Sequence, residues 1–382
     1  MQLRYGVNPG QRARASLDEP GSPLRVVSGH PSYINVLDAL NAWQLVAEAS
    51  TLGSAAATSF KHVSPAGAAL AGELDPVIES TWGVDGAGVS PVARAYLRAR
   101  DADPRSAFGD FVAVSEPVDA SLARILASVV SDGIVAPGYE AGTVAVLSAK
   151  KGGRYLVLEA DPSRVLPVRE VREAFGVRLE QETTRPPITR ELVRAGAGAS
   201  LPPGVVDDVA LAMVTARWTQ SNSVVFAKEG MVLGVGAGQQ SRVDCTRLAG
   251  AKVDAWWLRR HPRVRSVDFR ASVRRQDRIN LLLGYIDTNP TPQERASFAE
   301  AVETVPEPIR LDERASWLGR LADVVMASDG YIPFRDNIDH AARHGIGYLA
   351  HPAGSSREGE VQAAAREHGI TLLDTGLRLF HH

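Results

Sequence analysis

The chain has 382 residues, 45% hydrophobic and 23% charged, with a formal net charge of -2. That length exceeds one comfortable core and predicts two or three globular units. The balanced charge gives no global pull toward nucleic acid or membrane, and no run of about 18 apolar residues or basic-then-apolar leader marks a membrane span or signal peptide.

Residues 33–49, YINVLDALNAWQLVAEA, carry apolar groups at Ile34, Leu37, Leu40 and Trp43, a spacing that predicts a helix with one buried face. The stretch Ser59-Phe60-Lys61-His62-Val63-Ser64-Pro65-Ala66-Gly67 follows, setting a fixed cation beside an imidazole. Helical spacing recurs at 121–130 and 205–217, while the short apolar runs 143–147 (TVAVL), 155–158 (YLVL) and 370–373 (ITLL) read as strands. Residues 223–236 read as two strands joined through Lys228-Glu229-Gly230. Eight arginines crowd 259–278, and helix-like stretches cover 274–285, 292–303 and 311–326. Strands alternating with helices predict an α/β protein. A faint repeat, RILASVVSDGIVAP at 124–137 and RLADVVMASDGYIP at 320–333, points to a tandem duplication in which each copy ends a helix and enters Ser-Asp-Gly.

Histidine is the usual proton acceptor near neutral pH, and an adjacent lysine stabilises negative charge developing on an oxygen. Lys61-His62 therefore suits acyl-type transfer to a weak nucleophile, although the dipeptide alone is a weak signal. Only five of the 42 basic residues are lysines, which makes each a less casual choice. The single cysteine, Cys245, excludes an intrachain disulfide framework and fits a reducing, cytoplasmic setting. It also leaves no zinc site of the nucleobase-deaminase kind, which needs at least two cysteines. GVGAG at 234–238 misses the dinucleotide fingerprint because Gln239 stands where a third glycine belongs. Ser64, before Pro65, reads as a turn former, and His30, His340, His344 and His351 as ordinary surface or core groups. The arginine cluster lacks interleaved aromatics beyond Phe269, so a solvated face or an anionic small molecule is expected there before nucleic acid.

Beyond these readings, RYGVNP at 4–9, SFKHVSPAG, SAFGDFVAVSE at 106–116 and SDGIVAPGYE at 131–140 form a series with RWTQSNS at 217–223 and GVGAGQQSRVDCTRLAG at 234–250. AWWLRRHP at 255–262, SDGYIPFRDN at 328–337 and the closing LRLFHH continue it. In this order they closely resemble the transformylase domain of the bifunctional purine-biosynthesis enzymes, over nearly the whole chain. The resemblance implies duplicated cytidine-deaminase-like α/β units with a helical insertion. These would be a first unit at 1–165, a second at 166–258 and 323–382, and an insertion at 259–322. The family activity is formyl transfer from 10-formyltetrahydrofolate to the amine of 5-aminoimidazole-4-carboxamide ribonucleotide (AICAR), without zinc.

The resemblance carries roles to particular positions. His62 is the expected proton acceptor; Lys61 stabilises the oxyanion and helps keep the imidazole neutral; Asn222 hydrogen-bonds the formyl group or holds His62. Arg4, Tyr5, Gly109, Asp132, Arg378 and Phe380 are expected at the nucleotide, with arginine supplying paired donors to phosphate. Gln240, Ser241, Arg242, Val243, Tyr331, Pro333 and Asp336 are expected to line the folate site. The family can hold potassium near Thr219, Ser221, Ser223 and Asp329, although Asp329 reads equally well as a turn residue; no other metal is expected. Active sites are expected to be shared across a homodimer, with neither nucleic acid nor membrane as partner.

Two departures stand out: Gly10 and Tyr331, where family members often carry His and Phe. No cyclohydrolase domain precedes Met1, so a transformylase standing alone, handing its product to a separate cyclohydrolase, is expected. Competing readings are the same chemistry on an AICAR-like azole carboxamide nucleotide, a non-catalytic nucleotide sensor, and nucleic-acid binding through the arginine-rich segment.

Overall fold

The computed structural model describes residues 1–382 except 165, 166, 184 and 199. The expected unit boundary at 165/166 thus lies outside the described residues. Thirteen strands are described: β1 (Leu24–Ser28), β2 (Ala56–Lys61), β3 (Ser64–Leu70), β4 (Asp110–Val114), β5 (Ser131–Ala136), β6 (Leu156–Ala160), β7 (Arg169–Ala174), β8 (Val177–Glu182), β9 (Val224–Lys228), β10 (Met231–Gly236), β11 (Val324–Ser328), β12 (Ile346–His351) and β13 (Thr371–Asp374). All but β7 and β8, which form a separate exposed hairpin, belong to one eleven-stranded sheet ordered β1-β6-β5-β4-β2-β3-β10-β9-β11-β12-β13.

The same path is traced twice. Helix Tyr33–Ala49 leads into the antiparallel hairpin β2–β3, helix Pro91–Ala102 follows, and β4, β5 and β6 then pair in parallel with β4 antiparallel to β2. Helix Pro203–Arg217 likewise leads into β9–β10, helix Arg242–Leu258 follows, and β11, β12 and β13 pair in parallel with β11 antiparallel to β9. The central seam is the antiparallel contact of β3 with β10, where Ala69 faces Met231. In the second traverse four further helices stand between Leu258 and β11, where the expected insertion lies. Apolar clusters fill both faces of the sheet, one under helices Tyr33–Ala49 and Pro203–Arg217, the other under Pro91–Ala102 and Arg242–Leu258.

The helix at Tyr33–Ala49 starts where local chemistry dictates. Ser32 caps it, its hydroxyl accepting from Asn35 N while the Asn35 side chain accepts from Ser32 N. The hairpin through Lys228-Glu229-Gly230 and the strands at 155–158 and 370–373 also lie within a residue or two of their expected places.

Three expectations need correction. Residues 143–147 form a helix, Thr143–Ser148, not a strand. β5 and β6 are parallel and so need a crossover between them, and this context overrides the β-branched composition. The helix expected over 311–326 ends at Leu318 before Gly319, and Val324–Ser328 is a strand buried at every position. The Ser-Asp-Gly repeat is not the structural repeat. Its first copy opens β5 while its second closes β11, whose counterpart by pairing is β4. A short match in small and apolar residues cannot fix connectivity, whereas strand pairing does.

Candidate active site

One edge of the sheet gathers most of the expected site residues. By register, Lys61 at the end of β2 lies beside Asp110 at the start of β4, which pairs with Ser131 at the start of β5. Because β10 runs antiparallel to β3, the same edge carries the end of β10, the start of β9 and the end of β11.

The first cluster is built on the β2–β3 turn. Lys61 Nζ donates to the Phe108 carbonyl at 2.5 Å, and a Cβ at Gly109 (φ 77°) would stand 4.0 Å from that nitrogen. Glycine takes this left-handed position without the strain a side chain would bring. His62 is exposed at the tip. Arg4 reaches the same cluster through helix Tyr33–Ala49, its Nη2 donating to Asn35 Oδ1 at 3.4 Å. Tyr5 accepts at its carbonyl from Tyr33 N, and the Arg4 guanidinium lies 5.2 Å from the Tyr5 ring centroid. Asp132, exposed at the start of β5, is paired with Lys151. Beside it Lys150 donates to Ser131 Oγ at 2.6 Å and lies over the Tyr155 ring; burial pulls its ammonium down to about 7. Sequence reasoning singled out neither lysine, although the scarcity of lysine offered a signal.

The second cluster is built on the loop before β9. Asn222 Nδ2 donates to the carbonyls of Gln239 and Gln240 at 3.1 Å each, and its Oδ1 accepts from Arg242 Nη2 at 2.9 Å. Arg242 is only 8% exposed; its guanidinium also pairs with Asp329 and donates to Ser328 Oγ at 2.8 Å. Asp329 further accepts from Ser223 N at 2.8 Å. Arg242 therefore meets this site from inside, as the brace of Asn222. The chain end lies along the cluster: Leu379 N donates to the Asp329 carbonyl, His381 and Ser221 exchange hydrogen bonds, and Arg378 sits over the Phe380 ring at 4.9 Å. A Cβ at Gly330 would stand 2.7 Å from Arg242 Nη2 and 2.9 Å from Phe380, so this close packing requires glycine.

Gln240 and Ser241 are exposed just ahead of helix Arg242–Leu258, and Val243 is half-buried in its first turn. Tyr331 is half-exposed, Pro333 is partly buried, and Asp336 starts helix Asp336–Ala341, accepting from Asn337 Nδ2 at 2.8 Å. Thr219 donates to the Thr215 carbonyl at 2.6 Å, while the fully buried Ser223 Oγ has no protein partner. Among the described residues no hydrogen bond or ion pair links the two clusters. β2 and β9 are three strand spacings apart, about 14 Å.

The arginine-rich segment is largely taken up in packing. Arg259 pairs with the fully buried Asp101, and Arg260 with Asp75 and Asp101, fastening the extra helices to the first half. Arg263 pairs with Glu313 at 3.1 Å and Arg275 donates to Ser128 Oγ at 3.3 Å. Among the described residues, no helix is long and apolar enough to cross a membrane.

Comparison with known proteins agrees with these features. The family described as AICARFT/IMPCHase bienzyme matches residues 1–252. The "Bifunctional purine biosynthesis protein PurH" of Roseobacter denitrificans is 30% identical over 385 residues, covering all of this chain and 59% of its own length. Proteins of the same name from Cereibacter sphaeroides and Dinoroseobacter shibae are 29% identical with the same coverage. The chain thus spans about 59% of the length of these relatives. With a family match running through both the Lys61-His62 turn and the Asn222–Arg242 brace, the chain belongs to the AICARFT/IMPCHase bienzyme family.

Proposed function

We propose that this protein transfers the formyl group of 10-formyltetrahydrofolate to the 5-amino group of AICAR. The observation that carries the reading is the meeting, on one sheet edge, of an exposed imidazole beside an ammonium with Gly109 and the Asp132 position, while Arg4 is bonded to Asn35 of the helix that also holds the turn. The acceptor amine is conjugated with an electron-poor ring and attacks poorly, so proton removal and oxyanion stabilisation are both required. His62 accepts the amine proton as nitrogen bonds to the formyl carbon. Lys61 turns from the Phe108 carbonyl to the developing oxyanion. As the tetrahedral centre collapses, the bond from formyl carbon to the folate nitrogen breaks and that nitrogen takes the proton that His62 accepted, which returns the imidazole to its neutral form. Asn222, with both amide hydrogens occupied and Arg242 on its oxygen, keeps one oxygen lone pair to orient a donor on the reactants. Arg4 and Arg378 serve the nucleotide phosphate, Asp132 a ribose hydroxyl, and Tyr5 and Phe380 the flat parts of the ligand. Gln240, Ser241, Val243, Tyr331, Pro333 and Asp336 line the folate side.

We read 1–165 as the first unit, 166–258 with 323–382 as the second, and 259–322 as an insertion whose Val264 and Ile286 form a small core with Leu258 of the second unit. We also read the two clusters as halves of sites completed between two copies. The uncovered apolar residues Val171, Phe175, Val177 and Leu179 of the β7–β8 hairpin support a partner surface. A potassium ion fits the donor set through Ser223 Oγ and the neighbouring hydroxyls of Thr219 and Ser221, since Arg242 already neutralises Asp329.

The test is steady-state release of tetrahydrofolate, expected only when both substrates are present. His62→Ala should lower kcat by about 10²–10⁴-fold, the range for a lost general base; normal turnover by that variant would sink the mechanism. The uncommitted Tyr331 hydroxyl favours an AICAR-like azole carboxamide nucleotide as the alternative acceptor. Comparing kcat/KM for the two acceptors decides between them, and exchanging potassium for choline in the same assay tests the cation.

A further inference from the structure

The β2–β3 connection is two residues long, because Lys61 pairs with Ser64. Such a hairpin adopts the type I′ turn, which demands positive φ at both central residues and favours Asn-Gly. Here those residues are His62 (φ 53°) and Val63 (φ 59°). Left-handed backbone costs a non-glycine residue about 1–2 kcal/mol and is least tolerated by β-branched side chains. A turn of this kind persists only where its surroundings over-determine it. The hold comes from Asp38, whose Oδ1 accepts from Val63 N at 2.7 Å. Asp38 is 5% exposed and projects from helix Tyr33–Ala49, one turn after the Asn35 that holds Arg4.

We propose that Asp38 is a positioning residue: it locks the left-handed turn that presents His62 at the sheet edge, and with Asn35 it references His62 and Arg4 to one rigid helix. The inference rests on the formyl transfer proposed above. The second half of the fold supplies an internal control. There the two-residue turn between β9 and β10 is Glu229 (φ 54°) and Gly230 (φ 70°). It is held by Asp208, on the topologically equivalent helix Pro203–Arg217, which accepts from the N–H groups of both. That turn points to the opposite edge of the sheet and carries no candidate base. The device is therefore the same, but only one copy of it holds a group with chemistry to perform.

Kinetics of Asp38→Ala, Asp38→Asn and Asp208→Ala, with amide hydrogen exchange at Val63, test the assignment. Asp38→Ala should lower kcat about ten- to a hundredfold, the scale for a catalytic group displaced by an ångström. KM should change little, and Val63 N–H should lose its protection from exchange. Asp38→Asn retains the accepting oxygen and should recover most of kcat. Asp208→Ala should lower thermal stability while leaving kcat within about threefold of the parent. Should Asp38→Ala prove too unstable, it is made in a Val63→Gly background. Glycine adopts this φ freely and keeps its own N–H, so Val63→Gly alone should leave kcat near that of the parent, and adding Asp38→Ala should then lower kcat less than about tenfold. Unchanged kcat in a folded Asp38→Ala protein overturns the proposal, as does a loss of about tenfold or more when Asp38→Ala is added to Val63→Gly. So does failure of Asp38→Asn to recover activity, or an equal loss of kcat in Asp208→Ala. A parent protein that transfers no formyl group would instead overturn the proposed function, while Val63 exchange still reports whether Asp38 holds the turn.

Discussion

Two buried acids, Asp38 and Asp329, show how single residues set this edge. Asp329 spends its carboxylate on Arg242 and Ser223 N, so its role is to fix the arginine that fixes Asn222. Asp38 keeps only the amide of Val63 against its burial, and the Asp132 charge adds to the effect, so its carboxyl is raised to about 6. The sign is unfavourable to the ionised form. A folded pKa above the unfolded one contributes stability below about 3.8, which is lost as pH rises through about 6. At pH 8 the ionised carboxylate therefore costs on the order of 3 kcal/mol relative to a neutral isostere. Asp38→Asn should accordingly unfold at a higher denaturant concentration than the parent at pH 8, with the gap narrowing toward pH 5. An equal gap at both values would contradict this origin.

At the scale of elements, the arginine-rich run shows what a sequence motif means once it is folded. Arg259 and Arg260 lie at the end of helix Arg242–Leu258 and converge on Asp101, at the end of helix Pro91–Ala102, with Trp82 Nε1 donating to the same carboxylate at 3.3 Å. This joint couples the extra helices to the first half of the fold. Asp101→Ala would leave Arg259, 5% exposed, as an unpaired buried charge, a change that costs about 3–5 kcal/mol. The expected result is a clearly lower urea midpoint, and an unchanged midpoint would show that the joint carries no stability. The composition of 259–278 was legible, but its use was not: the acids that answer it, at 75 and 101, lie far away in the sequence.

For the molecule as a whole, the continuous sheet places both clusters on one edge but keeps them on separate strands. If each working site draws Lys61-His62 from one copy and Asn222 from another, chains carrying His62→Ala and chains carrying Asn222→Ala are each inactive alone. Mixed after mild dissociation, they should regain up to about a quarter of the parent activity, because half the re-formed pairs hold one intact site. No recovery in pairs shown to have exchanged subunits would place the whole site within one chain.

The sequence by itself determined helices and strands whose spacing is local, from the apolar stripe of residues 33–49 to the Lys228-Glu229-Gly230 hairpin. Its ordered motifs also identified the family through Lys61, His62 and Asn222. Tertiary structure decided what depends on partners remote in the chain. Pairing made 143–147 a crossover helix, matched β11 with β4 and set aside the Ser-Asp-Gly repeat. Burial turned Arg242 from a folate-site candidate into a brace of Asn222, and Asp38 holds the turn that carries His62. Hydrophobic period and capping act over a few residues and can be read along the chain. Hydrogen-bond partners 25 or 87 residues away, as for Asp38 with Val63 and Arg242 with Asp329, exist only once the sheet has formed.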